Sequence, residues 1–330
     1  VGLAPGAARV TAWLVRRLLW GLATVLGVLG FLFVLFFATA DPEDIARRAL
    51  GEKAPPEAVA RWIANHGYDR PRIWNPEAPL DTMLVEHFRR MLTFDFGRSD
   101  ADDVPIAQRL RGGVGASLSL TLPIFLLGLP LALAVALFVA FFRETYIDRL
   151  GVVLAVVAMS VSILIYILAS QYLIGVLLRW FPISGFDFDP AVVARFLALP
   201  VMVGVLNGLG SDVRFYRTVF VEESGRDYVR TAFAKGAGEG RVMARHVLPN
   251  AMIPILTHEV VRIPGLFTGA LLLESFFGIP GLGSVTVDAI HANDFATLRV
   301  MVYVGALLFI AAQIVTDVAY TLVDPRVRLG

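Results

Sequence analysis

The sequence predicts an all-α integral membrane protein with six transmembrane helices. Three observations predict it. Mean hydropathy is +0.69, and only 17% of residues are charged, too few to cover a soluble domain. Apolar runs of about 20 residues, enough for a helix to cross a hydrocarbon core of about 30 Å, recur along the chain. Polar, arginine-rich segments separate them. Net charge is +1, so the overall balance points to neither nucleic acid nor an acidic partner. The chain has no cysteine, which excludes disulfides, thiolate metal sites and cysteine nucleophiles.

The elements follow in order. An uncharged run from Leu18 to Ala40, preceded by Arg9, Arg16 and Arg17, predicts a first helix over about 14–40. A cleaved secretory signal is the competing reading, because Ala38-Thr39-Ala40 resembles a cleavage site. The run is longer than the apolar region of about 7–15 residues in such signals, and more spans follow. Residues 41–111 hold clustered acids, arginines and prolines and form an extramembrane segment. Helical spacing shows in Ala58-Val59-x-x-Trp62-Ile63 and in Met83-Leu84-x-x-His87-Phe88. Trp62, Tyr68 and Trp74 are candidate contact aromatics there, or serve the folding of the segment itself.

The second span covers about 114–142 and the third about 150–178, joined by a tight turn with Arg143, Glu144, Asp148 and Arg149. The fourth covers about 192–211, where Gly204 and Gly208 have small-x-x-x-small packing spacing. A polar loop occupies 212–249. The fifth span covers about 250–273 and is interrupted by Pro254 and Pro264. After a loop containing Gly278, Pro280 and Gly283, the sixth covers about 298–323, with Asp317 as a structural polar contact, and a tail Asp324-Pro325-Arg326-Val327-Arg328 follows. The 212–249 loop carries Arg214, Arg217, Arg226, Arg230, Lys235, Arg241 and Arg245. Short cationic loops stay in the cytoplasm. The loop, the 143–149 turn and both termini are therefore expected there, and segment 41–111 outside.

Enzyme chemistry is not indicated. There is no phosphate-binding G-x-x-x-x-G-K-[ST] loop. His258-Glu259 begins like a zinc-protease helix, but Arg262 stands where the second His is required. Gly281-Leu282-Gly283-Ser284 is not a serine-nucleophile elbow. His66, His87, His246, His258 and His291 are scattered without metal-ligand spacing. Charges inside a span are costly and face a cavity or a partner. Glu259 and Arg262, three apart on one helical face, either pair with each other or line a pathway with His258.

The polar loop carries the strongest signal. Ala232 and Gly236 lie four apart on one helical face, which allows close approach of another protein. Phe233 is an apolar anchor, and Arg230, Lys235 and Arg241 flank it. Gly236 and Gly238 permit a sharp turn before a second short helix ending at Leu248-Pro249. Mere positive-inside retention is the alternative reading.

The order of these residues resembles the cytoplasmic "EAA" loop of binding-protein-dependent ABC transporter permeases: Glu-Ala-Ala, three residues, Gly, nine residues, Ile-x-Leu-Pro. Arg230-Thr231-Ala232, Gly236, Leu248 and Pro249 take the matching places, with Arg230 for Glu and His246 for Ile. Those replacements resemble the peptide-importer branch, matched by Asp227 to Gly236 and by Arg245 to Ala251, while Ala237-Gly238 departs from it. Asp95-Phe96-Gly97-Arg98-Ser99 resembles the segment before span two of the B-type subunit of dipeptide/oligopeptide and nickel importers. Glu274 to Gly283 and Asp324-Pro325-Arg326 resemble the family's later loop and tail.

The resemblance implies a type I ABC importer permease fold in the bacterial cytoplasmic (inner) membrane. It implies half of a translocation pathway for di- or oligopeptides; nickel chelates, oligosaccharides and peptide antibiotics are alternatives within the same machinery. The implied partners are a second, C-type permease, two ATP-binding subunits, an extracytoplasmic substrate-binding protein and membrane lipid. ATP and Mg would sit on the partner ATPases, and this chain would bind no cofactor. The coupling role falls on Asp227, Tyr228, Arg230, Thr231, Ala232, Ala234, Lys235, Gly236, Arg245, His246, Leu248 and Pro249. A stand-alone secondary transporter would need an internal repeat or a chain of intramembrane acids, and neither is evident.

Overall fold

The computed structural model describes residues 5–38, 41–268 and 270–323. The side chains of 5–14, 38, 48, 49, 66, 190, 191, 264, 267, 268 and 316–323 are not described. The cleavage-like Thr39-Ala40, the 324–328 tail and the side chains of Arg9, His66, Pro264 and Asp317 therefore lie outside the described residues. Within them the regular structure is helical, with one isolated antiparallel bridge, Arg98 to Pro105. The helices are α1 (Pro5–Phe33), α2 (Pro42–Leu50), α3 (Pro56–His66), α4 (Met83–Leu92), α5 (Ile106–Phe141), α6 (Tyr146–Ser160) and α7 (Ile163–Ser170). They continue as α8 (Pro190–Ser224), α9 (Asp227–Ala234), α10 (Glu239–Val242), α11 (Leu248–Thr268), α12 (Leu271–Phe277), α13 (Leu282–His291) and α14 (Phe295–Val323). Short π segments extend α1, α7 and α10, at Val34–Ala38, Gln171–Leu177 and Met243–Val247.

Four stretches among the described residues are long and apolar enough to cross a membrane: Val15–Phe37, Ile106–Phe141, Val192–Ser224 and Phe295–Val315. There are up to six if the pairs α6 with α7 and α12 with α13 each make one span. The described residues divide into two compact units: those up to Val114 with Gly281–Ile314, and Gly115–Pro280 with those from Val315 on.

In the first unit, Pro42 and Pro56 open α2 and α3, where a missing N–H costs nothing. Gly67, at φ 72°, closes α3 in the left-handed region, and Thr82 caps α4 by accepting from the Val85 amide. Segment 41–111 builds a core with the end of α1: Ile45, Val59, Trp62, Tyr68 and Met83 pack with Phe33 and Phe37. Trp62 and Tyr68 stack there at 5.5 Å, so folding uses both, whereas Trp74 is exposed. His87 is buried, and its Nε2 lies 3.2 Å from the Leu29 carbonyl, one turn before α1 widens into its π segment. A second cluster joins Leu29 and Leu32 of α1 to Ile106 of α5 and to Val300 and Tyr303 of α14. The buried Asp294 caps α14 through the Thr297 amide and hydroxyl, and also accepts from the Ser99 hydroxyl and the Asp100 amide. Ser99 of the Asp95–Ser99 motif is thereby tied to that helix start.

In the second unit, the stretch expected as one third span is two helices. α6 and α7 meet at 89°, where Val161 leaves helical geometry and the Ser162 hydroxyl accepts from the Leu164 amide. The fourth helix does not stop at Ser211 as the sequence suggests; α8 runs on to Ser224. The charges that suggested a loop are satisfied on the helix. Arg217 makes a two-pronged pair with Asp148 of α6, at 2.5 and 2.7 Å, and Asp212 pairs with Arg262 of α11 at 2.9 Å. Gly210 lets α8 press on α6, since a Cβ there would lie 2.7 Å from the Ala155 carbonyl oxygen. Gly204 serves packing as its spacing suggests, against Ile124 of α5. The buried Glu274 of α12 accepts from the Ser117 hydroxyl at 2.8 Å and the Ala270 amide at 3.0 Å.

Candidate functional site

The polar stretch after α8 folds as an elbow. α9 leaves Ser224 through Gly225 and Arg226, and its inner face places Val229 and Ala232 into a core with Tyr216 and Phe220 of α8 and Ala136 of α5. Val242, Met243 and Val247 join the same core from the return limb. The elbow is thus anchored by apolar side chains on one side only.

Its turn is a helix stop of the left-handed type. The Gly236 amide donates to the Phe233 carbonyl at 2.9 Å, and the Ala237 amide to the Ala232 carbonyl at 3.2 Å. This pairing requires a residue at positive φ, and Gly236 sits at φ 81°. Among the described residues no atom beyond its chain neighbours lies within 4 Å of where a Gly236 Cβ would be. The glycine therefore serves the turn, and the space above it is open.

The return limb differs from the expected short helix ending at Leu248-Pro249. α10, its π turns and α11 run continuously through Pro249. Proline lacks the N–H that would close an ordinary turn on residue 245, and the π segment absorbs it: the Leu248 amide donates to the Met243 carbonyl five residues back. The Asn250 side chain donates to the His246 carbonyl at 2.7 Å.

The face turned away from the core holds Asp227, Tyr228, Arg230, Thr231, Phe233, Ala234, Lys235 and Gly236, all exposed. Ala232 does not belong to it. It is buried in the core that α9 shares with the return limb. Tyr228 donates to Glu223 at 2.6 Å; burial and this bond push its phenol up to about 12. Arg226 pairs with Glu222 and Glu223, and Arg230 with Asp227 at 3.7 Å. Arg245 and Pro249 are exposed on the return limb, while His246 and Leu248 are half-buried.

His258, Glu259 and Arg262 do come together, one element further along. Arg262 Nη1 donates to Glu259 at 3.1 Å and to both Asp212 oxygens. Tyr216 donates to Glu259 at 2.5 Å, and His258 Nδ1 lies 3.1 Å from the same oxygen. The Glu259–Arg262 pair is therefore real and is part of a larger network locking α8 to α11. Asp212 and Tyr216 escaped the sequence reading because the span was ended at the first charge. Their spacing of four, one helical turn, was the available signal.

A helical chain of several apolar spans with a basic, surface-mounted elbow is a membrane transport scaffold, and comparison with known proteins identifies which. The family "Binding-protein-dependent transport system inner membrane component" matches residues 114–329. The chain belongs to this family: it is an ABC importer permease, a multi-pass inner-membrane component. It is 30% identical over 323 residues, covering 97% of this chain and 99% of the relative, to a protein of Brucella abortus (strain 2308) that carries the name peptide transport system permease protein. It is also 30% identical over 318 residues, 96% of this chain and 98% of the relative, to the glutathione transport system permease protein GsiC of Salmonella typhimurium (strain LT2).

Proposed function

We propose that this permease forms half of the translocation pathway for short peptides, delivered from outside by a substrate-binding protein and driven by two separate ATP-binding subunits. A second permease completes the pathway. ATP and Mg bind on the ATPases, and this chain holds no cofactor. Six spans, made by α1, α5, α6 with α7, α8, α11 and α14, with the pair α12 and α13, bent by 78°, read as a re-entrant loop, would put both termini and the elbow in the cytoplasm. The observation that carries the reading is the elbow itself. A rigid apolar underside leaves Phe233 at 47% exposure amid Arg230, Thr231 and Lys235, with α8 entering and α11 leaving. A groove on an ATPase fits that surface. Movement of the groove would tilt both helices, provided nucleotide changes the relative free energy of two states.

The names of the relatives, a peptide transport permease and a glutathione transport permease, favour di- or oligopeptides over nickel chelates or sugars. The test is reconstitution of the assembled importer in liposomes, with uptake of labelled dipeptide, glutathione and a longer peptide compared with and without ATP. Uptake by this chain without an ATP-hydrolysing companion would overturn the coupling reading.

A further inference from the structure

The polar network that joins α8 to α11 has a side it does not use. Arg262 Nη1 is turned toward α8, where it meets Asp212 at 2.9 Å and Glu259 at 3.1 Å. Nε and Nη2 make no hydrogen bond or ion pair with any described residue. Those two nitrogens form the side-on edge of a guanidinium, whose parallel N–H groups suit oxygen acceptors. The side chain is 42% exposed. Nη2 lies beside Gly208, 3.7 Å from where a Cβ would be, and Ser211, one turn further along that face of α8, is exposed. His258 stands next to the arginine: its Nδ1 and Arg262 Nη1 each lie 3.1 Å from the same Glu259 oxygen. No charged group other than Asp212 and Glu259 acts on Arg262 among the described residues. Arg217, further along α8, pairs with Asp148 in the first turn of α6, so Asp212 lies about 7.5 Å deeper in the spans than that pair. A charge within a span faces a cavity or a partner rather than lipid.

Charge decides which acceptor fits the open edge. Asp212 and Glu259, both buried, already set two carboxylates against one guanidinium. A third carboxylate, that of a peptide C-terminus, would be repelled at this depth. An uncharged carbonyl would not, and it satisfies donors that are costly to leave unmade away from water. We infer that Arg262 is a substrate-contacting residue of the pathway, its Nε–Nη2 edge donating to a peptide-bond carbonyl of the passing peptide beside Gly208. Asp212 and Glu259 hold the guanidinium in place and offset its charge. The site therefore reads the peptide backbone, which every sequence shares, and neither terminus. The offset charge keeps the contact weak, as a site that must release its ligand requires. This role presupposes peptides as the substrate, as proposed above.

The test uses the assembled importer in liposomes, with the binding protein saturated in turn by labelled dialanine, its thioamide analogue and its C-terminal amide. Sulfur is a weaker acceptor than oxygen, so the wild type is expected to move dialanine roughly fivefold faster than the thioamide. R262K keeps a cation against Asp212 and Glu259 but loses the open edge. It should move dialanine more slowly and bring the dialanine-to-thioamide ratio close to unity. Comparing this ratio between variants cancels any preference of the binding protein. G208A, whose Cβ would lie 3.7 Å from Nη2 and 3.6 Å from Asp212 Oδ2, leaves the network intact and crowds the edge. It should lower the ratio too, and it decides the matter if R262K does not assemble. A ratio that keeps its wild-type value in these variants, however slow their uptake, overturns the proposal and leaves Arg262 a brace between helices. A preference for dialanine over its amide that collapses in R262K while the thioamide ratio holds also overturns it, because the edge then holds a carboxylate. A dependence of uptake on anionic lipid that R262K removes, with the thioamide ratio unchanged, assigns the edge to a lipid phosphate and overturns it as well. Absence of dialanine uptake by the wild-type importer would instead sink the peptide reading itself, and this role with it.

Discussion

Replacing Gly236 separates the two things a glycine at the elbow can do. Its φ of 81° costs a residue with a Cβ about 1–2 kcal/mol, less for Asn, which tolerates the left-handed region. Among the described residues nothing beyond its chain neighbours lies within 4 Å of the added Cβ, so no overlap adds to that strain. The buried underside of Val229, Ala232, Val242 and Val247 is untouched. G236N, G236A and G236W should therefore all insert, with thermal midpoints lowered only slightly, Asn least. ATP-driven uptake should divide them differently. If an ATPase surface occupies the open space, G236W abolishes uptake and co-purification of the ATPases, and G236N impairs both despite its near-native stability. If only the turn matters, G236N is active. Normal uptake by G236W would refute the idea that the elbow is a contact surface at all.

Three further outcomes are expected. F233A removes a side chain that is 47% exposed, so the isolated chain should melt as before while ATPase co-purification falls roughly tenfold; an unchanged yield of complex would contradict the anchor role. Glu274 is fully buried, and E274A, which removes the acceptor of the Ser117 hydroxyl and the Ala270 amide, should cost about 3 kcal/mol in chemical denaturation, with E274Q costing less. His87 is held neutral: burial first, and Arg299 second, lower its pKa from 6.5 to about 4. The folded state thus binds fewer protons than the unfolded chain between those values. Its stabilisation, up to about 3 kcal/mol, is complete above pH 6.5 and is lost as pH falls toward 4. Denaturation at pH 7 and pH 5 should show this slope in the wild type and not in H87N.

Much of the architecture is legible in the residues, because a bilayer leaves a chain few options and apolar length marks them. The elbow was legible through Gly236 and its basic neighbours. The end of α8 was not. A charge reads as the end of a span unless its partner is known, and the partners of Asp212 and Arg217 are 50 and 69 residues away. The bend at Val161-Ser162 has no Pro or Gly to announce it. Ala232 reads as an open docking face only while the position of α8 is unknown. Trp62 and Tyr68 were ambiguous for the same reason: exposure is a property of the tertiary arrangement.

The uninterrupted return limb has a mechanical corollary. From Glu239 to Arg262 the chain is one continuous helical run of about 35 Å, because the widened turns at Met243–Val247 carry Pro249 and α11 continues through Pro254. A nudge at its exposed tip is passed along this run, with Pro254 as the place where it can bend, toward the ionic knot of Asp212, Glu259 and Arg262.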